Sequence, residues 1–158
     1  MATDCIAQVT FNFDPKMKPV VAAFDAEHAS SDGGAILLKG IDTQLGLTKR
    51  LAACLQDERQ PGKIQHQTLE LFRQRVFGIA CGYADCNDAA RVADDAIHKL
   101  LVDRDPIAGP ALASQPTLSR FENAVGWREL LGMGHGLADT VVEHHRRRLK
   151  GRATRITI

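Results

Sequence analysis

A ten-residue segment near the carboxyl end of the chain carries side chains suited to contacting DNA. Residues 114–123 read SQPTLSRFEN. Ser114 predicts a helix N-cap, and Pro116 fits the first turn, where its missing N–H does no harm. The N–H groups of such a turn bind phosphate oxygens, and Arg, Asn and Gln side chains make paired contacts with guanine and adenine edges. The candidate DNA contacts are Gln115, Thr117, Ser119, Arg120 and Asn123.

The residues before this segment allow a helix-turn-helix interpretation. A helical run between Asp85 and Lys99 would be the supporting helix. The connector from Lys99 to Ser114 is longer than the three or four residues usual for the motif. The alternative interpretation of residues 114–123 is a capped surface helix whose polar side chains are only solvated.

Positive charge is concentrated near the carboxyl end of the chain. The net charge of the whole chain is only +1, so overall charge does not indicate a nucleic-acid partner. Residues 146–155 contain no acid, and their basic residues are Arg146, Arg147, Arg148, Lys150, Arg152 and Arg155. We expect the first five of these to hold phosphates, with salt-dependent binding. A solvated helix end, where the helix dipole favours cations, is the alternative.

Other residue types capable of chemistry form no recognisable site in the sequence. Four carboxylates, Asp85, Asp88, Asp94 and Asp95, could bind Mg²⁺ and so serve a small metal-dependent hydrolase. Helix caps and solvated surface are the favoured interpretation, because Asp is a preferred capping residue. The four cysteines and six histidines lack the spacing of a zinc or nucleophile motif. We therefore assign no catalytic residue, no metal ligand and no cofactor to this chain.

Hydrophobic spacing predicts a mainly helical chain. The clearest helix is expected from about Gln65 to Cys81, with Gly82 as its C-terminal cap. Its buried stripe is predicted to be Leu69, Phe72, Val76, Ile79 and Ala80. Shorter helices are expected from Ile36 to Leu45, ending at Gly46, and from Leu47 to Leu55. In the last helix, Gly132, Gly134 and Gly136 predict a kink or break, or a tight helix crossing.

The predicted fold is a multi-helix DNA-binding domain, helix-turn-helix-like, over residues 35–150. Alternating apolar residues predict a strand over residues 6–13 and a second over 19–24, so residues 1–34 are expected to form an N-terminal β arm or hairpin. Residues 151–158 are expected to begin a further strand. No signal peptide or membrane-length apolar run is found, so we expect a cytoplasmic protein without a membrane partner.

Several motifs occur together in an order that resembles a known family. They are Asp32-Gly33-Gly34, Asp57-x-Arg59, His66, Gln74-Arg75, Gly82-Tyr83-x-Asp85-x-Asn87-Asp88 and Leu112 to Asn123. Together they resemble the N-terminal part of the group 1 DDE transposases of bacterial insertion sequences. The resemblance runs from about Asp32 to Ile158. The segments from Gly82 to Asp88 and from Leu112 to Asn123 are its specific parts.

The resemblance implies a longer protein with an RNase H-like catalytic domain after this region. Three carboxylates of that domain hold two divalent metal ions, such as Mg²⁺, for attack on a DNA phosphodiester. No carboxylate of this chain matches them, so we expect a segment truncated before its catalytic core and inactive by itself. The chain also departs from the family at Ala84, Ala93 and Ala96, where an acid, an arginine and a proline are expected. The losses at Ala93 and Ala96 suggest drift, as in a decaying element copy.

Two functions from different classes follow from the sequence. The favoured one is binding of double-stranded DNA at the ends of the element, in transposition and recombination. The alternative is a helical interaction or dimerisation module that binds no DNA, because a missing domain would leave apolar surface exposed for self-association.

Overall fold

The computed structural model describes residues 30–150 in full, and the backbone of two strands before them. Strand β1 (Val9–Phe11) pairs antiparallel with β2 (Val20–Ala22), with Thr10 opposite Val21. The described part of the chain is mainly helical, as predicted. Its helices are α1 (Ala35–Leu45), α2 (Leu47–Ala52), α3 (Thr68–Ala80), α4 (Ala89–Val92), α5 (Ala96–Leu101), α6 (Gln115–Ala124) and α7 (Trp127–Leu149). Short 3₁₀ helices lie at Pro61–Lys63 and Cys86–Asp88.

Two glycines end helices where the sequence predicts it. Gly46 has φ of +66° at the end of α1, and its N–H donates to the carbonyl of Asp42. Gly82 has φ of +96° just after α3, and Tyr83 N–H then donates to the carbonyl of Gly78 at 2.9 Å. A residue with a side chain is strained at such φ values, so glycine is the natural stop at both positions.

The buried face of α3 differs from the predicted stripe. The helix buries Leu71, Gln74, Phe77 and Gly78, whereas Ile79 from the predicted stripe is 53% exposed. The prediction was wrong because its apolar stripe left out Gln74, a polar residue that the helix buries. The Gln74 amide forms hydrogen bonds with the backbone of Ala113 in the interior. A polar side chain can therefore occupy the buried face.

Helix α1 also buries residues that the hydrophobic pattern does not predict. Lys39 is 4% exposed and donates to the carbonyl of Leu101 at 2.9 Å. It also forms an ion pair with Asp103, which in turn pairs with Arg73 of α3. This charged network joins α1, α3 and the end of α5. Leu37 and Ile41, which the spacing would place inside, are more than half exposed.

The predicted supporting helix between Asp85 and Lys99 is broken into short pieces. A 3₁₀ turn and α4 come first, and α5 begins afresh after Asp95, whose side chain accepts from His98 N–H at 3.0 Å. Ala96 is therefore the first residue of α5. The proline that the family resemblance leads us to expect at this position would fit there, because the first residue of a helix tolerates proline. The single supporting helix of a helix-turn-helix is not found among residues 85–101.

Helix α7 is continuous from Trp127 to Leu149 and crosses α2 closely. A Cβ at Gly132 would lie 3.5 Å from Cys54 Cβ, and one at Gly136 would lie 3.4 Å from Leu51 Cδ2. Gly134 has open space instead. The predicted tight crossing is therefore found, and the predicted break is not.

Some predictions fall largely or wholly outside the described residues. The β arm over residues 1–34 stays a prediction as a unit, because only β1, β2 and residues 30–34 of it are described. The strand expected over residues 151–158, and Arg152 with it, lie outside the described range. The domain boundaries at residues 34 and 150 also stay predictions.

Candidate nucleic-acid interface

Helix α6 divides its residues between the core and the surface. Leu118 is 2% exposed and packs with Leu71, Cys86, Ala89 and Ala113, and Phe121 packs against the edge of this cluster. Ser114 occupies the predicted N-cap position, but its hydroxyl lies 3.2 Å from the Thr117 hydroxyl and forms no capping hydrogen bond. The buried side therefore anchors the helix and leaves its polar side outward.

The predicted contact residues of α6 fall into two groups. Arg120 and Asn123 are exposed, while Gln115, Thr117 and Ser119 are half-buried. Asn123 Nδ2 donates to the carbonyl of Ser119 in its own helix at 2.8 Å. Arg120 forms no ion pair with any residue that the structure describes. Its guanidinium is therefore the α6 side chain best placed to meet an anion.

A buried glutamine positions the start of α6. Gln74 Nε2 donates to the carbonyl of Ala113 at 2.9 Å, and Ala113 N–H donates to Gln74 Oε1 at 3.0 Å. The amide thus pairs with both backbone groups of a residue that is fully buried. Leu112 N–H donates to the carbonyl of Ala93 at 2.8 Å. The segment leading into α6 is therefore held by α3 and by the residues after α4.

A second anchor lies near the end of α6. Arg75 donates to Glu122 and to the carbonyl of Ala84, the latter at 3.0 Å. Cys86 Sγ donates to the other Glu122 oxygen at 3.0 Å. Burial acts to raise the pKa of Glu122, but the hydrogen bonds from Cys86 and Arg75 outweigh it and hold that pKa below its usual value. Burial, helped by Glu122, raises the pKa of the Cys86 thiol to about 11, so Cys86 is a neutral structural donor.

An open cleft of about 610 Å³ lies beside α6. Thr117 and Arg120 line one side, and the loop residues Arg59, Lys63 and His66 line the other. Arg59 is held rigidly because its Nε and Nη2 donate to the two oxygens of Asp57, at 2.7 and 2.6 Å. Lys63 is exposed and forms no ion pair with a described residue. Sequence reasoning missed this loop, although the Asp57-x-Arg59 motif marks it.

The predicted basic residues that the structure describes lie in the last turn of α7 and just after it. Arg146, Arg147, Arg148 and Lys150 are all exposed, and only Arg147 has an ion pair with a described residue, Glu143 at 3.0 Å. Nineteen residues of helix separate Trp127 from Arg146, or about 28 Å at 1.5 Å per residue. These basic residues therefore lie at the opposite end of α7 from Trp127, which follows α6 in the chain.

The acidic stretch forms no shared site. Asp85 and Asp95 each accept from a backbone N–H at 3.0 Å, as helix caps do. Asp88 lies 3.8 Å from Arg91, and Asp94 lies 3.3 Å from Lys99. Mg²⁺ needs several oxygen ligands around one point, and these four carboxylates are separately engaged. Asp85, Asp88, Asp94 and Asp95 therefore do not form the shared Mg²⁺ site considered for this stretch.

A family model agrees with the motif order. The model described as transposase DDE domain group 1 matches residues 14–153, which is most of the 158-residue chain. The chain belongs to the transposase DDE domain group 1 family. No curated protein and no solved structure matches it.

Family membership connects the chain to transposition and, in general terms, to DNA. In this group 1 transposase chain, the two segments that are most specific to the family resemblance lie next to each other in the fold. The Gly82 to Asp88 segment and the segment from Leu112 to Asn123 meet where Cys86 contacts Glu122. No helix among the described residues is long and apolar enough to cross a bilayer.

Proposed function

We propose that this chain binds double-stranded DNA at the ends of an insertion sequence and acts as the DNA-binding segment of a DDE transposase. The observation that carries the proposal is the exposed side of α6, where Arg120 and Asn123 point away from a core anchored by Leu118. Arginine and asparagine are the side chains that recognise guanine and adenine edges. The family match supplies the link to transposition.

The charge arrangement supports a contact with DNA at two places. Arg120 with Lys63 would bind near α6, and Arg146, Arg148 and Lys150 would bind phosphates near the end of α7, about 28 Å along that helix from Trp127. The expected location is the cytoplasm, because the DNA of a bacterial cell lies there.

The proposed contacts do not include catalysis. The carboxylates of the acidic stretch are engaged as caps and ion pairs. We therefore propose a role in holding or recognising DNA and assign no part of strand cleavage to these four carboxylates.

The test is a fluorescence-anisotropy titration of a labelled duplex at low and moderate salt. If Arg120 contacts a base, Arg120→Ala should weaken binding by about 1–3 kcal/mol and reduce the preference for one DNA sequence. If Arg120 contacts a phosphate, the substitution should weaken binding about equally for all DNA sequences. Arg91→Ala is the matched control, because Arg91 is an exposed arginine on α4 with no place in the proposed surface. Absence of binding by the unaltered chain at both salt concentrations contradicts the proposal.

Self-association is the second candidate function, and exposed apolar side chains favour it. Trp127, Leu130 and Leu131 at the start of α7 are each more than half exposed. A contiguous apolar surface of this kind is typical of a protein contact. Light scattering that shows a defined dimer, combined with no response to DNA, would favour this function over DNA binding.

A further inference from the structure

Three potential metal ligands from distant parts of the chain meet beside Tyr83. Asp32, Cys81 and His98 each offer one ligand atom, and these atoms all lie within 4.8 Å of one another. We propose that this group binds a divalent ion of the zinc type. The site is separate from the proposed DNA contacts and goes beyond them. It is the one group of three such ligands among the residues that the structure describes.

The donor set suits zinc. Zinc is held by thiolate sulfur at about 2.3 Å, imidazole nitrogen at about 2.0–2.1 Å and carboxylate oxygen at about 2.0–2.2 Å. Tetrahedral angles then place the ligand atoms about 3.3–3.6 Å from one another. Separations of up to 4.8 Å need only a small inward shift of side chains. A soft thiolate beside a carboxylate also disfavours Mg²⁺, which prefers oxygen ligands.

The charge of the proposed site balances. A carboxylate and a thiolate together offset the two positive charges of the ion, and the histidine binds as a neutral ring. This balance matters because the site is largely enclosed: His98 is 2% exposed, and the Asp32 side chain is 13% exposed. Cys81 is half-buried, which leaves a path for the ion and for a water as fourth ligand.

The fold holds each ligand at the end of an element. Asp32 lies in the turn before α1, and its carbonyl accepts from Ala35 N–H at 2.8 Å. Cys81 is the C-cap residue of α3. His98 lies in the first turn of α5, where Asp95 caps its backbone N–H. A bound ion would therefore join the starts of two helices to the end of a third.

A neighbouring tyrosine orients the carboxylate. Tyr83 Oη donates to Asp32 Oδ2 at 2.9 Å, and its ring meets the His98 ring edge-on at 5.5 Å. Such outer contacts hold metal ligands in position in many sites. His98 Nε2 lies 2.9 Å from the same Asp32 oxygen. Metal binding would widen this contact to about 3.3 Å and replace it with two metal–ligand bonds.

The alternative is that Asp32, Tyr83 and His98 form only a hydrogen-bonded cluster. That cluster needs no thiol, so Cys81 separates the two interpretations. The untagged chain is dialysed against Zn²⁺ and then against buffer, and its zinc content is measured. Co²⁺ is titrated into a parallel sample and followed by near-ultraviolet absorption. We expect zinc equimolar with the chain, and a thiolate-to-cobalt charge-transfer band.

Cys81→Ser should lose the charge-transfer band and weaken zinc binding at least roughly tenfold, while far-ultraviolet circular dichroism stays unchanged. Cys54→Ser is the matched control, since Cys54 is another half-buried free cysteine outside the group, and it should keep both signals. Zinc should raise the melting temperature of the unaltered chain and of Cys54→Ser but not of Cys81→Ser. An unaltered chain without equimolar zinc or the cobalt band overturns the proposal. Equal binding by Cys81→Ser does the same. Either result would overturn the zinc proposal without contradicting the proposal that the chain binds DNA.

Discussion

The pairing of Gln74 with Ala113 gives the sharpest prediction about stability. Gln74 is 6% exposed and Ala113 is 0% exposed, so neither backbone group of Ala113 can turn to water if the amide is removed. Gln74→Met keeps the length and approximate volume of the side chain but removes both hydrogen bonds. The substitution therefore isolates the polar contribution from any effect of a cavity.

The expected loss follows from the two orphaned groups. Leaving a buried donor or acceptor unsatisfied costs about 1–3 kcal/mol, so two such groups give about 2–6 kcal/mol. A domain of this size is usually stable by only about 5–15 kcal/mol. Gln74→Met should therefore lower the midpoint of urea unfolding substantially, measured by far-ultraviolet circular dichroism. Ala113 immediately precedes the N-cap of α6, so loss of its hydrogen bonds should also displace the proposed DNA-contacting helix. The folded variant, measured without urea, should therefore bind DNA more weakly than the unaltered chain.

The control is Gln60→Met, which makes the same chemical change at an exposed position. It should change the free energy of unfolding by less than about 0.5 kcal/mol. If Gln74→Met costs less than about 1 kcal/mol, the backbone of Ala113 does not depend on this amide, and the proposed positioning of α6 is wrong.

Three further predictions test the packing and the charges. Asp103→Asn should destabilise the chain by about 1–3 kcal/mol in urea unfolding because it leaves buried Lys39 without its carboxylate; the loss stays below the full cost of a buried pair since Asp103 is 44% exposed. Gly136→Leu should cost about 1–3 kcal/mol by overpacking the α2–α7 crossing, whereas Gly134→Leu, in open space, should be neutral or stabilising; equal effects would contradict the crossing. The hydrogen bonds from Arg59 lower the pKa of Asp57, so this carboxylate contributes stability above its unfolded pKa of about 3.9 and loses it as pH falls through the lower folded pKa. Asp57→Asn should therefore lower the melting temperature at pH 7, and the difference from the unaltered chain should shrink below about pH 4; a constant difference would argue against the ion pair.

Local signals in the sequence predict much of the helical framework. Gly46 and Gly82 end α1 and α3 because only a residue without a side chain readily adopts their backbone angles. Ser114 and Pro116 mark the start of α6 for similarly local reasons. The close glycines of α7 indicate a crossing, although the sequence does not say with which helix.

Long-range partners explain where the predictions fail. Lys39 and Gln74 are buried because Leu101 and Ala113, 62 and 39 residues away, supply their hydrogen-bond partners. No periodic pattern contains that information, so the buried faces of α1 and α3 are misjudged. The break before α5 depends on a cap at Asp95, which the continuous apolar spacing conceals.

The candidate sites show the same division. Arg120 and Asn123 were identifiable from one short segment, because they lie within a single helix. The Asp57-x-Arg59 motif marks the loop that contains Arg59 and Lys63, but only the fold shows that this loop lines the same cleft. Asp32 and His98 are 66 residues apart, and no ligand spacing could reveal them.

The central claim is that the exposed side of α6 faces the DNA. Photocrosslinking tests this most directly, with a photoreactive amino acid in place of Asn123 and, as a control, in place of Leu37, which is 57% exposed on α1. The account predicts that a labelled duplex is captured from position 123 and that capture falls as salt is raised. Equal capture from both positions, or capture from position 37 alone, would contradict it.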